Sequence, residues 1–105
     1  MSELTPLRIE YSVTYTGWVR AGLRELVTKA AQLGIGASII AALKDLDYRL
    51  RIYPQFGQPL RDMAVMPGQL CVGVVPPLVA RYVLDEKNRS VSVGARIQVL
   101  PGFGL

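Results

Sequence analysis

The chain has 105 residues, half of them hydrophobic and 19% charged, and 12 lysines and arginines against 8 carboxylates leave it at +4. That length supplies one hydrophobic core and not two, and the composition excludes a disordered tail or a coiled coil, so a single packed domain over residues 1–105 is expected. The modest positive charge suits an acidic partner or nucleic acid, but it is ordinary for a solvated domain and selects no function by itself.

Residues 7–15 alternate Leu7, Ile9, Tyr11, Val13 and Tyr15 with Arg8, Glu10, Ser12 and Thr14. A period of two predicts a half-buried strand with one wet face. Thr16-Gly17 breaks it, and Thr16 is placed to cap a helix. From Trp18 the apolar residues Val19, Leu23, Leu26, Val27 and Ala30 recur at helical intervals, which predicts an amphipathic helix ending near Gly34. A second helix is expected from about Ser38, with Ile39, Leu43, Leu46 and Leu50 on its apolar face. The short link through Gly34 and Gly36 makes the pair an antiparallel hairpin.

Pro54 disfavours helical geometry at Tyr53, so the second helix is expected to stop there. The linker that follows, "RIYPQFGQPLRDM", changes the period, with Gly57 free to turn and Pro59 stiffening the approach to a sheet. Residues 70–75 form a short apolar strand, Pro76-Pro77 fits a hairpin corner, and residues 78–84 resume the ladder. "DEKNR" is a polar turn, and residues 91–99 alternate Val91, Val93, Ala95, Ile97 and Val99 with Ser92, Gly94, Arg96 and Gln98. The last three strands therefore read as an antiparallel meander, and the fold class as α+β with a four-stranded, mainly antiparallel sheet. The tail "LPGFGL" is expected either to pack across the core or to meet a partner.

The sequence contains no histidine, which excludes Ser-His and Cys-His nucleophilic pairs and histidine-based metal sites. Its single cysteine, Cys71, excludes a thiolate zinc cluster and an internal disulfide, and it sits in a run that reads as buried. No metal or cofactor is expected. The Gly34-x-Gly36 pair follows a helix instead of a strand, so it is not a nucleotide loop. Residues 1–12 show no basic stretch leading into an apolar one, and a cytoplasmic protein is expected.

What remains is arginine on the sheet. If residues 86–89 form a four-residue loop, Asp85 pairs with Ser90, Arg81 faces Gly94 and Arg96 lies on the diagonal. The two guanidinium groups would then share one face with Ser92 and Gln98, while Ala80, Tyr82 and Leu84 join Val91, Val93 and Ile97 on the core face. Such a pair can grip a carboxylate or a phosphate.

The order strand, helix, helix and meander, with "GQPLRDM" before the second strand and "VARYVLDEKNRSVSV" and "SVGAR" after it, resembles the RelE/ParE toxin superfamily, often described as plasmid stabilisation proteins. The resemblance covers roughly residues 9–99 and rests on order and spacing. It implies a component of a type II toxin-antitoxin system, neutralised by a cognate antitoxin laid across the toxin. RelE-type members cut messenger RNA on the ribosome with basic residues on the second, third and fourth strands, and ParE-type members inhibit DNA gyrase by binding. Arg96 matches the fourth-strand arginine and Arg81 lies on the third strand, a few residues after the family position near Leu78. The second strand, "LCVGVV", carries no lysine or arginine, and no tyrosine or histidine follows Tyr82. The resemblance thus implies a toxin-like protein acting by protein binding, whether it is an enzyme being left open. Its alternatives are a ribosome-dependent mRNA endoribonuclease or a non-toxic interaction module. Arg61, Arg81 and Arg96 are the candidate binding residues.

Overall fold

A computed structural model describes residues 10–102. It is α+β: β1 (Ser12–Tyr15), α1 (Gly17–Gln32), α2 (Gly36–Ile52), a single 3-10 turn (Pro54–Phe56), β2 (Gln58–Asp62), β3 (Gln69–Val75), β4 (Leu78–Asp85), β5 (Ser90–Val93) and β6 (Gln98–Val99). The six strands form one mixed sheet in the order β1-β5-β4-β3-β2, with β6 also paired to β4 and β1 parallel to β5. The expected α+β class with its helical hairpin is present, but the sheet has six strands where four were expected. Among the described residues, no helix is long and apolar enough to cross a membrane.

The hairpin forms where the sequence places it. Gly34, at φ +79°, ends α1. The Ile35 N–H bonds the Ala30 carbonyl at 2.9 Å and the Gly34 N–H bonds that of Ala31 at 3.1 Å, the paired closure of a Schellman turn. Val19 and Ala30 of α1, and Ile39, Ala42, Leu46 and Leu50 of α2, are buried. They pack on one face of the sheet against Cys71, Val75, Leu78, Ala80, Tyr82, Leu84, Val91 and Val93. Thr16 occupies the N-cap position of α1 without a side-chain bond; instead its N–H donates to the Val93 carbonyl, tying the helix start to β5.

At the N-terminus the expected strand is shorter than the alternation suggested. Leu7 and Ile9 lie outside the described residues, and Tyr11 departs from the ladder to donate its N–H to the Arg51 carbonyl at 2.8 Å. The Tyr15 hydroxyl donates to Asp47 at 2.7 Å, and Arg51 donates to both oxygens of the same carboxylate at 2.9 and 3.3 Å. Burial disfavours charge on Asp47, but the bonds from Arg51 and Tyr15 outweigh it and hold its pKa below the ordinary carboxylate value. Burial first, then the Asp47 carboxylate, pushes the Tyr15 phenol well above its ordinary pKa. This cluster fastens β1 to α2.

The linker after α2 is more ordered than its breakers imply. Pro54 opens the 3-10 turn, and its carbonyl accepts the hydroxyl proton of Tyr82, which is 1% exposed. The Phe56 ring stacks on Tyr82 with centroids 6.2 Å apart. Gly57 has an ordinary extended φ of −78°, so its expected freedom to turn is not what the position uses. A Cβ there would overlap the Tyr82 hydroxyl and stand 2.9 Å from the Val72 carbonyl, so the chain needs glycine for space. Residues 58–62, expected as irregular linker, form the edge strand β2. All five of its residues are exposed, Pro59 withholds an N–H, and the register slips between Pro59 and Arg61.

β3 and β4 form a hairpin closed by Pro76-Pro77, which are joined by a cis bond, with Val75 opposite Leu78. Asp85 opposes Ser90 across the expected four-residue loop, and its carboxylate accepts from the Asn88 N–H at 3.2 Å and from Asn88 Nδ2 at 2.8 Å. Those two bonds, the side-chain one foremost, lower the Asp85 pKa. Leu100 returns to the hairpin corner, donating to the Pro77 carbonyl at 2.8 Å; the rest of the tail beyond Gly102 lies outside the described residues.

Candidate protein-binding face

Both helices lie on one face of the sheet, so the direction of each strand residue decides whether it meets the core or the other side. Along β4, Leu78, Ala80, Tyr82 and Leu84 are buried under the helices, and Val79, Arg81 and Val83 point the opposite way. Residues opposed in a ladder share a face. Val72 opposes Arg81, Val74 opposes Val79 and Leu70 opposes Val83. One strand further out, Gln58 opposes Val72 and Arg61 opposes Leu70.

Arg61 and Arg81 therefore stand on the helix-free face, on either side of Leu70, Val72 and Val74 of β3, with Val79 and Val83 flanking Arg81 along β4 and completing an apolar strip. Two strand spacings and a two-residue offset put their Cα atoms about 12 Å apart. Neither guanidinium forms an ion pair with another described residue. Val74 is 46% exposed on that face. No described helix covers it, in contrast to the opposite face, where both helices are docked.

Arg96 is not on this face, which corrects the expected pairing of Arg81 with Arg96. The predicted single strand over residues 91–99 is two strands with a slip between them. Val83 opposes Ser92 but Val79 opposes Gln98, so four steps along β4 are matched by six along its neighbour. The extra residues leave the ladder and carry Arg96 over α1. Its guanidinium carbon lies 5.8 Å from the centre of the Trp18 ring and its Nη2 lies 3.8 Å from Glu25. Its side chain also covers Gly22, whose ideal Cβ position is 3.6 Å from Arg96 Nε.

The apolar half of the face was not anticipated. A run such as "QLCVGVV" buries Cys71, Gly73 and Val75 towards the helices, which leaves Leu70, Val72 and Val74 on the side that an ordinary one-sided antiparallel sheet gives to water. Apolar residues on both sides of β3 were the available signal. They call for cover on both faces, and the chain's helices cover only one.

Catalytic groups do not converge on this surface. Among the described residues no three histidines, cysteines or carboxylates come together as a metal site. Cys71 is 2% exposed, and burial raises its thiol pKa, with Glu86 adding to the effect. Asp45 and Arg49 pair along α2 at 3.1 Å, and Glu86 accepts from Gln55 at 2.7 Å, so these carboxylates are engaged at the surface. What the arrangement offers is recognition: two planar donors beside an apolar strip, able to grip a carboxylate while burying hydrocarbon. Comparison of the chain with protein-family models, with curated proteins and with solved structures finds no match.

Proposed function

We propose that this chain is a toxin-like protein of the RelE/ParE type that acts by binding another protein, with the helix-free sheet face as its contact surface. The observation that carries this reading is the apolar strip of Leu70, Val72, Val74, Val79 and Val83 on the helix-free face, together with Arg61 and Arg81, which form no ion pair with another described residue. The family part of the proposal is supported by the order of elements, a strand, a helical hairpin and then the sheet. The binding part is supported by chemistry: β3 carries no basic side chain, and the chain has no histidine. A cognate antitoxin, or a target such as gyrase, would offer carboxylates to the two arginines and apolar side chains to the strip.

The test is induced expression in a bacterial host, with and without the product of the neighbouring short reading frame, together with titration of the purified pair. Growth arrest relieved by that product is expected. Losing a desolvated charge contact costs about 2–5 kcal/mol, so Arg61→Ala and Arg81→Ala should each weaken the complex at least tenfold while Arg96→Ala leaves it nearly unchanged. Unimpaired growth with no complex, or equal affinity in all three variants, would refute the proposal. Ribosome-dependent cleavage of messenger RNA by the purified protein would replace binding with catalysis.

A further inference from the structure

We infer that the groove between α1 and the open edge of β6 binds an extended acidic peptide of a partner protein, which adds to the sheet as a further strand. This site lies on the helix side of the molecule and is separate from the face carrying Arg61 and Arg81.

The inference begins with the ladder. β1 pairs with β5 only over residues 90–93, so it stops short of β6, and among the described residues β6 has β4 alone as its neighbour. The Leu100 N–H bonds the Pro77 carbonyl, which makes that pair, and the next one two residues along, the hydrogen-bonded pairs of an antiparallel ladder. Val99, opposite Leu78, is then a non-hydrogen-bonded pair. Its N–H and C=O point away from β4, outward to an edge that no described strand occupies. An extended peptide satisfies both with one residue.

The groove beside this edge has a composition to match. Val19 and Leu26 of α1 and Ile97 and Val99 supply an apolar floor, and Gly22 lets the Arg96 side chain lie close against the helix at its rim. Charge around it favours an anion: Lys29 and Arg96 line the groove and Arg24 stands on the neighbouring surface of α1, against the single carboxylate of Glu25. The Arg96 to Glu25 pair is long at 3.8 Å and its side chains are 58% and 72% exposed, so little holds it against a competing carboxylate. Alternate residues of a strand share one side, so two peptide residues spaced i and i+2 both face α1, one filling the floor and the other presenting a carboxylate to the basic rim. A second copy of this chain fits poorly, because it would bring the same excess of cations to the same rim.

The experiment is a titration of the full chain, labelled with nitrogen-15, with the capped pentapeptide Val-Ser-Asp-Ser-Val, whose first, third and fifth side chains share one side, beside its counterpart with lysine in place of aspartate. The expected result is a set of saturable shifts at residues 97–99 and along the facing side of α1, with the lysine peptide at least tenfold weaker. Arg96→Glu should reverse that preference without altering the spectrum elsewhere. Val99→Pro removes the outward donor while sparing the bonds to β4, and it should abolish binding with the helix signals in place. Protection of the Val99 amide from exchange in the protein alone would show the edge already covered, by the chain's own terminus or by a second copy, and would overturn the inference. So would equal binding of the two peptides, or shifts confined to the Arg81 face.

Discussion

Removing one oxygen atom from Tyr82 should cost more than its size suggests. Tyr82 sits in β4 at 1% exposure, its hydroxyl donates to the carbonyl of Pro54, and the Gly57 N–H approaches the same oxygen. Tyr82→Phe keeps the ring and its stacking on Phe56 but leaves the Pro54 carbonyl and the Gly57 N–H without that partner, in a place water reaches poorly. Leaving a buried polar group unsatisfied costs about 1–3 kcal/mol. In a domain of this size each kcal/mol lowers Tm by about 4–8 °C. Urea unfolding followed by far-ultraviolet circular dichroism gives the free energy, and a thermal scan gives Tm. Tyr11→Phe is the control, because the Tyr11 hydroxyl accepts an exposed bond from Gln55 at 2.8 Å and its loss should stay within about 0.5 kcal/mol. If Tyr82→Phe unfolds with the same midpoint and slope as the parent, the hydroxyl does not fasten the linker to the sheet.

Leu46 of α2, 1% exposed in the core, should lose about 2–5 kcal/mol on replacement by alanine, read from the same urea curves; an unchanged midpoint would displace it from the core. Asp47 has a lowered pKa in the folded chain, so its contribution is present above the unfolded carboxylate value near 3.9 and is lost as pH falls through the lower, folded value. Stability of Asp47→Asn should therefore fall less steeply than that of the parent on acidification below about pH 4, and parallel curves would refute it. At the alkaline end Tyr15 and Tyr82 keep their protons longer when folded, so stability should decline once pH passes the unfolded tyrosine value near 10, less so in Tyr82→Phe.

The parts of this fold that were legible in the sequence share one property: a local signal decides them. Gly34 ends α1 because the left-handed turn there favours glycine, and the spacing of Leu46 and Leu50 is helical whatever they meet. The Asp85 to Ser90 pairing follows from the length of one loop. The slip between Val93 and Gln98 is of another kind. Inserting two residues restores the alternation of faces, so Ile97 and Val99 still point to the core and the pattern gives no sign of the break. Arg96 consequently reads as a strand residue although it lies on α1. β2 was hidden for the opposite reason: every residue of it is exposed, so no apolar period marks it, and Pro59 read as a stiffener of the linker. The candidate face was half legible, through Arg61 and Arg81, while its apolar strip depended on knowing which side the helices take.

β2 also settles where this molecule can grow. A terminal strand with free amides is a template on which another chain can polymerise, yet here the outermost strand carries a proline and an irregularity in register within five residues. Both spoil the straight row of donors and acceptors that edge-to-edge propagation requires. The sheet is thus closed to strand addition at its β2 margin, and another molecule can meet that side of the protein only face-on, against side chains and not along a row of free amides.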